Sequence, residues 1–121
     1  MSLPIIFGIG VLGGVGTIAR FALDGRVAAR LGRRFPYGTL AVNVFGSLLL
    51  GVLVGVGVSA NTYRLAGTGL IGAFTTFSTL ALESHRLAEE GERSLATLNV
   101  VISLLLGIAA VWAGRAIGAT L

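Results

Sequence analysis

Gly72-Ala-Phe-Thr-Thr-Phe-Ser-Thr79 stands in the middle of a run from Leu65 to Leu82 that carries no charge. Hydroxyls, two aromatic rings and a glycine therefore lie where a bilayer-spanning helix should be uniformly apolar. An unpartnered polar group in hydrocarbon costs several kcal/mol, so broken backbone persists there only when protein buries it or when it lines a polar path. The segment predicts a spanning helix that breaks part-way across.

Three more uncharged stretches surround it: Met1 to Ala19, Phe35 to Tyr63 and Leu95 to Gly114. Each is near or above the roughly 18–20 residues that a spanning helix requires. The chain of 121 residues is 55% hydrophobic and 12% charged, whereas a soluble domain carries about a quarter charged residues. The expectation is an all-α membrane protein, with residues 1–121 forming a single four-helix transmembrane domain whose third helix is broken. The first stretch lacks a preceding basic residue and a clear cleavage site, so it reads as a retained helix and not as a signal peptide. Cysteine is absent, which excludes disulfides and thiolate metal sites.

The expected helices run from about Leu3 to Leu23, extending towards Leu31; from after Phe35-Pro-Tyr-Gly38 to near Val58; from around Thr62, through the break, to Arg93; and from Ser94 to Ile117. Pro36 suits a first helical turn and Tyr37 the interfacial belt. All nine basic residues are arginines. Arg26, Arg30, Arg33 and Arg34 fall between the first two spans, Arg86 and Arg93 between the last two, and Arg20 at the same end of the first. Only Arg64 and Arg115 lie opposite. The positive-inside rule places both arginine-bearing connections in the cytoplasm and both termini outside. The sequence pI of about 11.2 would suggest nucleic acid in a soluble chain, but membrane topology accounts for these arginines.

The 19 glycines mark close helix contacts. Thr39, Asn43, Ser47, Gly51 and Gly55 recur every four residues on the second span. Asn99, Ser103, Gly107, Gly114 and Gly118 form a similar stripe on the fourth, and Gly10, Gly13, Gly14 and Thr17 mark the first. Four helices are few to enclose a pore, so at least a dimer is expected.

Several side chains could act on an ion. Asn43 offers amide donors, or else glues one helix to another. Thr75, Thr76, Ser78 and Thr79 offer hydroxyls, and Phe74 and Phe77 offer positive ring edges, a set suited to an anion. Backbone carbonyls freed by the break could equally hold a small cation, and a simple glycine kink with back-bonded hydroxyls is the plainer alternative. Arg20 either snorkels and pairs with Asp24 or forms an electropositive vestibule. His85 lies in a hydrophilic helix end and reads as solvated. No Asp, Glu, His or Lys occupies the interior of a span, which favours passive conduction over proton-coupled pumping. No catalytic triad, metal-ligand cluster or nucleotide loop occurs, so an enzyme is not expected.

The stretches Gly13-Gly-Val-Gly-Thr-Ile-Ala-Arg20, Gly38-Thr-Leu-Ala-Val-Asn-Val-Phe-Gly46 and Gly72 to Thr79 with Glu83, followed by Ser103 and Gly107, resemble the Fluc (CrcB) family of fluoride channels over nearly the full length. The resemblance implies a cell-membrane, multi-pass subunit that forms an antiparallel, inverted dimer enclosing two narrow fluoride pores. It implies that Asn43 donates to fluoride, that Phe77 presents its ring edge, and that Thr39, Ser78, Thr79 and Ser103 extend a polar track with Arg20 near the vestibule. It also implies a structural Na⁺ at the dimer interface, held by the carbonyls of Gly72 and Thr75 from both subunits. Two positions depart from the family pattern: Leu80 stands in place of a second phenylalanine, and Asn99 where a pore-facing tyrosine is frequent. With the arginine asymmetry, these departures point to a paired homologue of opposite charge bias as the partner. The competing readings are a small multidrug-type four-helix exporter, which would need an acidic residue in the first span, and a noncatalytic membrane scaffold.

Overall fold

The computed structural model describes residues Met1–Leu121 as helices joined by short turns. Helix α1 covers Leu3–Leu31, α2 covers Tyr37–Val56, and α3 opens as Ala60–Thr62, continues through a π-helical stretch at Tyr63–Ile71 and closes with Gly72–Phe74. After a break at residues 75–77, α4 runs over Ser78–Glu89 and α5 over Arg93–Ala119. Taking α3 and α4 as one bent span, four segments are long and apolar enough to cross a membrane.

The boundaries have local causes. Pro36 precedes α2 at its N-cap position, just outside the first turn expected for it. Gly57, with φ of 74°, ends α2 in the left-handed region, two residues short of the expected Val58. The third span stops at Glu89 instead of reaching Arg93, because Gly91 at φ of 81° turns the chain into α5. Helix α1 reaches Leu31 in full. Its 29 residues correspond to about 43 Å at 1.5 Å per residue, against a hydrocarbon core of about 30 Å. The turns bearing Arg26 and Arg30 therefore project beyond the membrane core.

Glycine sets the packing. On α2, a Cβ at Gly51 would lie 2.2 Å from the Val111 carbonyl oxygen, and one at Gly55 would lie 2.2 Å from that of Arg115. From the α5 side, Gly114 and Gly118 would meet the carbonyl oxygens of Leu48 and Val52 at 2.2 and 2.3 Å. The small-residue stripes of the second and fourth spans thus interlock backbone to backbone. On α1 the tight approach to another helix's backbone belongs to Gly16, whose Cβ would sit 2.2 Å from the Leu70 carbonyl oxygen, while one at Gly8 would meet the end of the Leu65 side chain. Gly10 and Gly14, expected in that role, face open space; Gly13 makes only an ordinary approach to Gly69.

Much of the apolar side-chain surface faces outward, including Phe7, Ile18, Leu105, Ile108 and Trp112. Such exposure suits a hydrocarbon solvent. Few residues are wholly enclosed, and among them polar Asn99 ranks with Val42 and Leu87.

Candidate ion-conducting site

The break is held open by one carboxamide. In a continuing helix Thr76 N–H would donate to the Gly72 carbonyl. Here it donates to Asn43 Oδ1 at 2.8 Å, while Asn43 Nδ2 donates back to the Thr76 carbonyl at 2.8 Å. Asn43 therefore pairs with both backbone groups of Thr76, as a residue on a neighbouring strand would. The same diversion recurs one turn on, where Thr79 N–H donates to Thr76 Oγ1 at 3.1 Å instead of to the Thr75 carbonyl. The carbonyls of Gly72, Ala73, Phe74 and Thr75 thus all lack their helical donors across the break. Thr75 itself is extended, with φ of −79° and ψ of 158°, which ends α3.

Glycine lets the break approach α2. A Cβ at Gly46 would fall 2.3 Å from Thr75 Cγ2 and 3.3 Å from the Phe74 ring. Phe74 is buried and meets Phe45 edge-on, with centroids 6.1 Å apart and planes at 71°. Phe77, three residues later, is 76% exposed.

The break separates two hollows. On one side, Asn43, Gly72, Thr75, Thr76 and Phe77 line an open cleft of about 330 Å³. On the other, Arg20, Asp24, Thr39, Thr76 and Thr79 line a small cavity of about 80 Å³. Thr76 faces both. Its hydroxyl contacts Ser78 Oγ at 3.2 Å and donates to Thr79 Oγ1 at 3.1 Å, so the three hydroxyls form one cluster at the junction. The structure thus collects Asn43, Gly72, Thr75 and Phe77 in the cleft, and Arg20, Thr39 and Thr79 in the cavity. Ser78 is exposed at the junction between them, and Ser103 lies apart on α5, buried, with its hydroxyl unpartnered.

Charge collects on the cavity side. Arg20 does not pair with Asp24, as one sequence reading held. Asp24 instead takes Arg33 at 3.5 Å, Arg20 forms no ion pair, and its Nε is enclosed without a partner. Glu83 also reaches this region by accepting the Thr39 hydroxyl. Farther out, Arg34 meets Glu92 at 3.1 Å and exposed His85 meets Glu89 one turn along α4.

Sequence reasoning singled out neither the pivotal role of Thr76 nor the pairing of Glu83 with Thr39. Both depend on contacts between residues more than thirty positions apart, and the only sequence signal was the Thr75-Thr76 doublet within the break. Leu80 and Asn99, the two departures from the family pattern, are both buried.

The family model described as "CrcB-like protein, Camphor Resistance (CrcB)" matches residues 7–115. "Fluoride-specific ion channel FluC 2" of Mycobacterium tuberculosis (strain ATCC 25618 / H37Rv) is 46% identical over 115 residues, covering 95% of this chain and 91% of that protein. "Fluoride-specific ion channel FluC" of Geobacter sulfurreducens is 45% identical over 114 residues, covering 90% and 92%. "Fluoride-specific ion channel FluC 1" of Rubrobacter xylanophilus is 49% identical over 107 residues, covering 88% and 86%.

Proposed function

Because the chain belongs to the CrcB-like protein family, we propose that it is a subunit of a fluoride-selective channel through which F⁻ leaves the cytoplasm passively. The observation that carries this reading is the Asn43–Thr76 pairing, which frees carbonyls, hydroxyls and an aromatic edge within an apolar span. Fluoride holds its water strongly, so a path must replace that water with donors yet release the ion. Asn43 uses one amide proton on Thr76 and keeps a second for the cleft it lines. The Phe77 ring, exposed beside it, offers a positive edge. Thr39, Thr79, Ser78 and Ser103 extend the hydroxyl supply, and Arg20 raises the local anion concentration at the cavity without forming a trapping ion pair. A negative cell interior then favours exit by about 2.3 kcal/mol per 100 mV.

The cleft opens on one side of the subunit, and Phe77 and Gly72, which line it, are exposed within the third span. A second four-helix subunit in inverted orientation would cover this face and complete two pores. In such a pair the Gly72 and Thr75 carbonyls from both copies could hold Na⁺; the fit rests on these being, of the four residues at the break whose carbonyls lack helical donors, the two that line the cleft. Bound there, Na⁺ would supply positive charge that ties the two breaks together.

The partner is a paired homologue, a reading favoured by one observation. Arg26, Arg30, Arg33 and Arg34 lie at the same end of the bundle as Arg86 and Arg93, so insertion in both directions would oppose the charge bias. The numbered names FluC 1 and FluC 2 among the relatives accord with it. Fluoride efflux from liposomes tests both levels. Efflux that appears only when the partner is added supports the heteromer, and full efflux from this chain alone refutes it. Absence of efflux in both cases overturns the channel reading, while transport that collapses with the proton gradient would restore the exporter alternative.

A further inference from the structure

Three arginines at the basic end hold acidic partners: Arg33 with Asp24, Arg34 with Glu92 and Arg86 with Glu90. Arg26 and Arg30 lie at the same end and hold none. Both are exposed, one turn apart on α1. Asp24, the sole carboxylate of that helix, is engaged by Arg33 and, two residues before Arg26, lies on another face.

The residues before this pair fix the face it occupies. Val11, Val15, Ile18 and Ala22 are all exposed and follow one another at steps of three or four, so they form one ridge. Arg26 and Arg30 continue it, with exposed Ala29 alongside. Gly16 and Ala28, the buried residues of α1, lie off the ridge, which therefore faces away from the bundle. An exposed apolar ridge on a helix that can cross a membrane is solvated by acyl chains.

Helix length sets the depth of the two charges. From Leu3, where α1 begins, about 20 residues cross a hydrocarbon core of about 30 Å, which ends near Leu23. Arg26 then lies about 5 Å beyond the core and Arg30 about 11 Å. The headgroup layer is about 5–8 Å deep on each side. Flexible stems carry both guanidinium groups into that layer.

We propose that Arg26 and Arg30 form a docking surface for the headgroup of an anionic phospholipid in the cytoplasmic leaflet, its acyl chains lying along the ridge from Val11 to Ala22. Guanidinium groups grip a phosphate through paired, charge-assisted hydrogen bonds. Ala22 and Ala29 place no bulky side chain in the way. A zwitterionic lipid carries its own cation beside the phosphate, so net charge selects the anionic one. Each surface arginine contributes about fivefold to that preference, and the pair about 25-fold. A lipid so docked tethers this end of α1 to its leaflet. The inference needs the chain in a bilayer but not the identity of the ion that passes, so it is independent of the channel reading.

The chain has no cysteine, so a fluorophore can be attached at Ala29→Cys, beside the pair, or at Ser2→Cys, at the other end of α1. The assembled protein is held in mixed micelles, where lipid reaches both ends. Quenching is then measured with phosphatidylglycerol or phosphatidylcholine bearing the same nitroxide near the top of an acyl chain. At Ala29→Cys, half-maximal quenching should need about 25-fold less phosphatidylglycerol, and at Ser2→Cys the two lipids should quench alike. Arg26→Gln with Arg30→Gln should abolish the preference without lowering the unfolding temperature, since both side chains are exposed. Arg26→Lys with Arg30→Lys, which keeps the charge, should preserve most of it, and salt of about 1 M should suppress it. Equal quenching by both lipids at Ala29→Cys, or a preference that survives the paired glutamines, overturns the proposal. A label that neither lipid quenches is covered by the partner subunit, which overturns it as well. Absence of fluoride flux in the same protein defeats the channel reading instead and leaves the quenching preference standing.

Discussion

Asn43→Ala removes both 2.8 Å hydrogen bonds that divert the Thr76 peptide from the helix. Each stranded backbone group costs about 1–3 kcal/mol when buried, so the pair amounts to about 2–6 kcal/mol. Thr76 borders both hollows, where water can reach its peptide, so the lower end, about 2 kcal/mol, is the expected loss. At 1.4 kcal/mol per decade this is roughly a 30-fold fall in the population with an intact break. Fluoride efflux from liposomes should drop by that factor, and thermal unfolding in detergent should shift to lower temperature. Asn43→Asp sharpens the test. It keeps an acceptor for Thr76 N–H but loses the donor, and it sets a negative charge beside the anion path, so its efflux should be at least as low despite a smaller loss of stability. Alanine and aspartate variants with wild-type efflux and unchanged unfolding would refute the assignment of Asn43.

Three further outcomes follow from the geometry. Phe77→Ala should leave unfolding within about 0.5 kcal/mol of wild type because the ring is 76% exposed, yet lower fluoride efflux severely; equal losses of both would make Phe77 a packing residue. Gly114→Ala pushes a methyl to 2.2 Å from the Leu48 carbonyl oxygen, so α2 and α5 must separate, at a cost of about 1–3 kcal/mol, measured as a lower unfolding temperature; an unchanged transition would contradict the glycine seam. Because the chain has no native cysteine, Ser2→Cys should react with an impermeant thiol reagent added outside intact cells, and equal labelling from both sides would contradict the arginine-imposed orientation.

The spans were legible because bilayer crossing is written locally, in runs without charge, and the break because hydroxyls and glycine interrupt such a run. The interlocked stripes of α2 and α5 were legible too, since small residues four apart mark one helix face. What governs the break was less so. Asn43 reads as a polar residue on a stripe, but its partner lies 33 positions away, and only the packing of α2 on the break reveals that it captures the backbone of Thr76. Gly16 replaced Gly10 and Gly14 as the close contact of α1 for a similar reason: several glycines on one helix offer several faces, and the neighbour selects one. The arginine ends showed the same limit. Asp24 lies one turn from Arg20, yet it turns to Arg33 in the α1–α2 connection, leaving Arg20 without an ion pair at the cavity.

The most direct measurement of the central claim is electrical recording from the assembled protein in a planar bilayer, first with fluoride and then with chloride as the only permeant anion. Steady, protein-dependent current in fluoride that vanishes in chloride and is suppressed by Asn43→Ala is the result expected if a desolvating path runs past the break. A membrane that stays silent in fluoride, with the partner subunit present, would contradict it.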